Sequence, residues 1–397
     1  MSSLTADLES AARIGADADG GVSRFAWTPE LAEANRWFVQ RLEELGLTAE
    51  IDAAGNVIGR WERGEGPAVL TGSHLDTVPR GGRFDGALGV LAALEAVRSL
   101  QREGVTPERP LWLVSFNDEE GARFRTGMLG SRVFAGEIDA DDWRRRGVAE
   151  AMAEAGFDFE RLPAARGIDQ IGAYVELHIE QGPVLERAGV DVGVVTGIVG
   201  LLGFRARLVG EANHAGTTPM ELRRDALAGT ARAVITLRDE ARRRDDMTAN
   251  VGMCTVSPGG FNVIPGVAEF SVDVRSPTPE GFARIDRFVR DTLERISAEE
   301  GLELELEETH RLDPVPLDPA LQDVLERAAE REGASHMRMP SGAGHDAMVL
   351  GRHVPAAMLF VPSRGGISHN PDEYTAPEQC ELGARVLARA LADLVTR

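Results

Sequence analysis

The chain has 397 residues, 43% hydrophobic and 27% charged, which suits a soluble globular protein of two domains or more. A formal net charge of −21 argues against nucleic acid or an anionic membrane as a partner and fits plain solubility. Two cysteines, Cys254 and Cys380, imply no disulfide framework and suit a reducing cytoplasm, so any metal must be held by histidine and carboxylate side chains. Residues 1–20 lack a basic start followed by an apolar core, so no secretory signal is expected. No run reaches the length of a membrane span.

Leu4 to Ile14 and Glu30 to Leu45 read as amphipathic helices, and Thr48 to Ile51 and Asn56 to Trp61 as strands around the turn Ala53-Ala54-Gly55. Ala68-Val69-Leu70 reads as a buried strand and Ala87 to Leu100 as a helix. Between them runs Thr71-Gly-Ser-His74-Leu-Asp76-Thr-Val-Pro-Arg-Gly-Gly-Arg-Phe-Asp85-Gly86. Ligands of an open α/β sheet bind there, outside the carboxyl end of a strand. His74 and Asp76 point to one side of an extended segment, so Asp76 can hold one ring nitrogen of His74 while the other faces a metal. Asp85 returns to the same place after a tight turn. The competing reading is a polar loop with a chance histidine and two capping carboxylates.

Pro110 to Phe116 is a largely apolar strand that ends in Asn117-Asp118-Glu119-Glu120-Gly121. Two strands joined by a helix make a parallel βαβ unit. Adjacent side chains diverge, so one of Glu119 and Glu120 can bind a metal while the other faces a water. A solvated turn is the plainer alternative. Asp139 to Ala165 reads as surface helices. Val175, Leu177 and Ile179 alternate with Glu176, His178 and Glu180, which marks a strand with one polar face. His178 is either a structural histidine there or a ligand supported by its two acidic neighbours.

From about Thr196 the character changes. Phe204 to Val209 reads as a strand and Gly210 to Met220 as a loop containing His214. Leu222 to Arg244 reads as a helix, Asn250 to Val256 and Ala268 to Val274 as strands, Gly281 to Glu299 as a helix and Leu302 to Leu306 as a strand. That order is a ferredoxin-like α+β unit. It reads as an insertion, residues 196–309, in an α/β domain made of residues 1–195 and 310–397. After it come a helix at Asp318 to Glu330, a strand at Ala356 to Phe360 and a final helix at Pro377 to Val395. Two Gly-rich loops, Ser341 to Asp346 and Ser363 to Pro371, carry His345 and His369.

His74, Asp85, Glu120, His178 and His369 would fill two metal sites that share one carboxylate. Asp85 bridges, His74 and His178 complete one site, and Glu120 and His369 the other. The mixed donor set suits zinc, and also manganese, cobalt or nickel. Glu119 is then the general base, taking a proton from water and passing it to a leaving nitrogen. His310, His336 and His353, with His345, are read as structural or surface histidines rather than ligands.

The segments GSHLDTVPRGGRFDG, FNDEEGARF, VELHIEQGPVLE, NHAGTTPM, FNVIPG, SGAGHDAM and GGISHNP resemble, in this order, one amidohydrolase family. It contains N-carbamoyl-L-amino-acid hydrolases, β-ureidopropionases and allantoate amidohydrolases, within the dinuclear metallopeptidase and aminoacylase superfamily. The resemblance runs from about Ala32 to the C-terminus. It implies a phosphorylase/hydrolase-like catalytic domain with a mixed, mostly parallel sheet flanked by helices. The inserted domain would be a lid and dimerisation domain, and the protein a cytoplasmic homodimer. Two divalent cations per subunit and a small ureido substrate bearing a carboxylate are implied as well. Gln181 would contact the ureido or carboxylate end. His214 would stabilise the oxyanion, in cis or from the partner subunit. Asn262 and Arg275 would hold the substrate carboxylate, and the Gly344-His345 loop would lie near the substrate. Carbamoyl-amino-acid hydrolysis is the first expectation and allantoate amidohydrolysis the near alternative. Peptidase or aminoacylase activity, or a non-catalytic binding protein on the same fold, is more distant.

Overall fold

The computed structural model describes residues 2–396. The strands run in chain order as β1 Thr48–Ile51, β2 Val57–Trp61, β3 Ala68–His74, β4 Leu111–Phe116, β5 Ile171–Ile179, β6 Val192–Ile198 and β7 Gly200–Val209. They continue as β8 Thr248–Asn250, β9 Cys254–Ser257, β10 Val267–Ser276, β11 Glu303–Leu312, β12 Val315–Pro316, β13 His336–Ser341 and β14 Ala356–Val361. The chain divides into two compact units. One holds the residues up to Thr196, Leu317–Met339 and those from Ala343 onward; the other holds Gly197–Pro316 and Pro340–Gly342.

The first unit is a mixed α/β structure built on a sheet of order β1-β2-β4-β3-β5-β14-β6, with β13 also pairing β6. β4, β3, β5 and β14 are mutually parallel. β1, β2 and β6 add antiparallel flanks. Parallel strands have both faces covered, so they read as unbroken apolar runs rather than alternating ones. Every residue of β3, β4 and β14 is buried accordingly. Between β3 and β4 the chain crosses over through the helix Ala87–Arg102, which buries Leu88, Val90, Leu91, Leu94 and Val97. Each such side chain contributes about 2 kcal/mol. That helix, Ser3–Arg13, Pro29–Glu44, Pro319–Arg331 and Pro377–Val395 share one apolar core. A smaller cluster around Trp143, Leu129 and Leu162 joins the helices between β4 and β5.

β5 has the expected polar face, and that face is interior. Its alternating polar residues do not face solvent: Glu176 and His178 are as buried as their apolar neighbours. Helices cover both of its faces: Ala87–Arg102 and Pro377–Val395 pack against it, as does Asp346–Leu350 on the side of Glu176. A buried carboxylate needs donors, and Glu176 has them in Ser73 Oγ (2.7 Å) and the Ala347 N–H (3.1 Å).

The second unit is an antiparallel sheet of order β11-β7-β10-β8, with β9 also pairing β10. Alternate residues of β7 and β10 (Phe204, Ala206, Phe270 and Val272 among them) bury against the helices Ala226–Arg242 and Pro279–Glu299. Two boundaries differ from the sequence reading. The first of these helices starts at Ala226, because Asp225 caps the N–H groups of Leu227 and Ala228 and residues 220–222 form a separate 3-10 turn. The expected strand Asn250 to Val256 is two short strands, since residues 251–253 leave the ladder.

Candidate metal centre

In the first unit the carboxyl ends of the four parallel strands meet. His74 is the last residue of β3, and Asn117 to Glu120 follow β4. His178 is the penultimate residue of β5, with Gln181 beyond it, and the His369 loop follows β14. Asp85 sits on the loop between β3 and its crossover helix, one residue before Gly86. Gly86 has φ +62°, and a Cβ there would overlap the His74 ring. The Phe-Asp-Gly sequence is thus required by how closely backbone and imidazole approach.

Asp85 is the hub. Its Oδ1 lies 3.2 Å from His178 Nε2 and 3.7 Å from His74 Nε2. Its Oδ2 lies 3.3 Å from His369 Nε2, which is itself 3.4 Å from Glu120 Oε2. The residues therefore form two groups with metal-ligand spacing, His74/Asp85/His178 and Asp85/Glu120/His369. A third group, Glu176/His178/His345, shares His178. All of these are buried except Glu120, which is partly exposed, and His369, whose side chain is about half exposed.

The ring tautomers follow from the acceptors. His74 Nδ1 faces the Asp76 carbonyl at 3.0 Å, and His178 Nδ1 faces the Ile179 carbonyl at 2.9 Å. A carbonyl only accepts, so each Nδ1 carries the proton. Gly86 N lies 3.3 Å from His178 Nε2. Two imidazole lone pairs and a carboxylate oxygen thus converge, an arrangement that repels unless a cation or protons fill it. Glu120 Oε1 is buried without a hydrogen-bond partner among the described residues. This donor set, imidazole nitrogen with carboxylate oxygen, fits a divalent cation such as zinc or manganese.

The electrostatics agree. Burial disfavours a charged His178, but the Asp85 carboxylate outweighs it and pushes the ring up to about 9. The hydrogen bond to Asp85 does the same for His369, also to about 9. Burial, with Asp85 next to it, pushes Glu120 up to about 8. Glu119 is held well above the usual carboxylate range by burial, by Asp346 and by Glu120. Its Oε2 lies 3.6 Å from His74 Nε2. Without a cation the cluster holds protons instead.

Asp76 differs from its expected place. Its carboxylate is 3.8 Å from His74 Nδ1, and the ring is held by the Asp76 backbone carbonyl. The carboxylate is drawn to the N–H groups of Glu119 (3.2 Å) and Glu120 (3.1 Å), so it shapes the turn that presents both glutamates. Glu180 likewise does not support His178; it caps the short helix Val184–Ala188 through the N–H groups of Val184 and Leu185. Gln181, at φ +56°, donates from Nε2 to Asp85 Oδ2 at 2.8 Å. His345, next to Gly344, is buried, with its ring edge-on to His178 at 4.5 Å. His214, Asn262 and Arg275 belong to the second unit. There the Asn262 carbonyl accepts from Ala215 N–H beside the exposed His214, and Arg275 donates to Asp273 and to the Gly342 carbonyl.

Sequence reasoning missed two residues. Glu373 is buried and holds the Asp85 loop, with room made by Gly82, where a Cβ would overlap its carboxylate; nothing in the sequence marks it. Arg24 is a fully buried arginine that donates to the carbonyls of Leu75 (2.6 Å), Ala11 (2.8 Å) and Ile14 (3.2 Å). It stands in Val22-Ser23-Arg24-Phe25-Ala26-Trp27, where no pattern in the sequence marks it.

A mostly parallel α/β sheet with a histidine and carboxylate cluster at its carboxyl edge is the architecture of a metal-dependent hydrolase. The chain belongs to peptidase family M20/M25/M40, whose pattern it matches over residues 70–393. It is 43% identical to an N-carbamoyl-L-amino acid amidohydrolase of Geobacillus stearothermophilus, covering 94% of this chain and 93% of that one. It is 40% identical to an allantoate amidohydrolase of Bacillus subtilis, covering 99% and 97%. Among solved structures it resembles a hydantoinase/carbamoylase family amidase of Burkholderia multivorans, with a TM-score of 0.90 and 38% identity over 99% of this chain and 97% of the other.

Proposed function

We propose that the protein is a metal-dependent amidohydrolase that cleaves the carbamoyl C–N bond of an N-carbamoyl-L-amino acid, giving amino acid, carbon dioxide and ammonia. The observation that carries the reading is the convergence of His74, His178, Glu120 and His369 on the two oxygens of Asp85. His74, Asp85 and His178 would hold one divalent cation, and Asp85, Glu120 and His369 a second. Cations there supply Lewis acidity toward a ureido carbonyl and toward water.

This chain's own residues do the rest. Glu119 takes the proton of the attacking water and returns it to the leaving nitrogen. Asp76 holds the Glu119 and Glu120 turn in place. The reading gives His214 the developing oxyanion, and Asn262 and Arg275 the substrate carboxylate, which a guanidinium fork suits. Gln181 and the Gly344-His345 loop would contact the ureido end. The names of the relatives and the chemistry of these side chains support those assignments.

The allantoate amidohydrolase relative favours a second reading on the same machinery, since both substrates pair a ureido group with a carboxylate. Ammonia release from a panel of N-carbamoyl-L-amino acids and allantoate, with zinc or manganese supplied, separates the two. No turnover of any panel member by protein shown to hold two cations would refute both.

We further propose that the second unit, residues 196–309 in the sequence reading, carries a homodimer contact. It presents the sheet edge formed by β8 and β9, with Met253 and Phe261 exposed, and Ile235 half exposed on the helix Ala226–Arg242. A reducing cytoplasm suits the two free thiols, Cys254 exposed and Cys380 buried. No helix among the described residues is long and apolar enough to cross a membrane.

A further inference from the structure

We infer that Glu373 is a positioning residue for Asp85 and so for both candidate cation sites together. The inference rests on the two-cation reading above. Glu373 is 2% exposed. Its Oε1 accepts from the backbone N–H groups of Phe84 (2.9 Å) and Asp85 (3.0 Å). Its Oε2 lies 2.8 Å from Ser368 Oγ, and that hydroxyl lies 2.9 Å from Asp85 Oδ2. Glu373 therefore reaches Asp85 twice, at its backbone nitrogen and, through Ser368, at its carboxylate.

The consequence is geometric. The contact at the nitrogen sets the Asp85 backbone and the Ser368 hydroxyl restrains its carboxylate, so the two together set the direction of both oxygens. One oxygen faces His74 and His178, the other His369. A shift of Asp85 cannot improve one group without degrading the other. The same carboxylate joins the Asp85 loop to the loop carrying His369, four residues before it. Ser368 has one proton for two carboxylates and donates to one at a time, so the link is a shared hydroxyl rather than two independent bonds. Room for the arrangement comes from Gly82, where a Cβ would overlap the Glu373 carboxylate.

A plain turn cap would contribute to stability alone. A positioning residue also moves the cations. The test uses full-length, cation-free protein titrated with Co2+ by calorimetry and visible absorption, with the thermal midpoint alongside. Wild type should take two Co2+. Glu373→Ala should weaken both binding steps by about 10- to 100-fold and change the absorption of both bound ions. Glu373→Gln keeps an acceptor for the two N–H groups, should fold, and should lie between. Gly82→Ala, which displaces the carboxylate from outside the cluster, should act in the same direction. If Glu373→Ala does not fold, the Gln and Gly82 variants decide. Wild-type affinity and absorption in these variants, with only the midpoint lowered, would make Glu373 a turn cap and overturn the inference. Fewer than two Co2+ bound by wild type would instead refute the two-cation reading, and this inference with it.

Discussion

At the scale of single residues, Glu119, His178 and His369 carry the sharpest expectations. Glu119→Gln should keep both cations and lower kcat by about a hundred- to ten-thousand-fold, the usual reach of general-base help. Metal analysis beside steady-state kinetics checks it, and a variant that kept most of its activity would move the base elsewhere. Cation binding should depend on pH with a definite sign. In the cation-free protein Asp85 raises His178 and His369 to about 9, so near pH 7 both hold protons that a cation must displace. Raising the pH toward about 9 removes those protons first. Apparent affinity should therefore climb over that interval and level off above it, with protons released on binding. Calorimetry in buffers of different ionisation enthalpy reads the release directly; affinity flat across the interval would contradict the proton-filled cluster.

At the scale of elements, the site depends on how β3 is held. Arg24 spans from the end of the helix Ser3–Arg13 to the Leu75 carbonyl, one residue from both His74 and Asp76. Burial pushes its guanidinium down to about 10, still protonated at neutral pH. Arg24→Met leaves three carbonyls without their donor and should cost about 2–4 kcal/mol. A urea midpoint unchanged from wild type would show that water replaces the guanidinium without loss. Much of this layer was legible beforehand. Apolar runs marked β3, β4 and β14, and the ligands stood where those runs ended. What was not legible came from neighbours distant in sequence. The alternation in β5 marks a polar face, but not the helices that cover it. Asp76 looks like a partner for His74 until the Glu119 and Glu120 N–H groups, over forty residues away, claim its carboxylate. Glu373 is invisible without the fold that brings it to Asp85.

At the scale of the whole molecule, two compact units share one chain that leaves and re-enters the first. If the second unit carries the homodimer contact, light scattering at working concentration should give twice the mass of the chain. Ile235→Glu should weaken the association, and a wild-type monomer would remove it. The central claim is narrower: one aspartate is shared by two cations. Anomalous diffraction from crystals loaded with zinc or manganese tests it most directly. The account predicts two peaks flanking Asp85, one within ligand distance of His74 and His178, the other of Glu120 and His369. A single peak, or a pair that leaves Asp85 unshared, would contradict it.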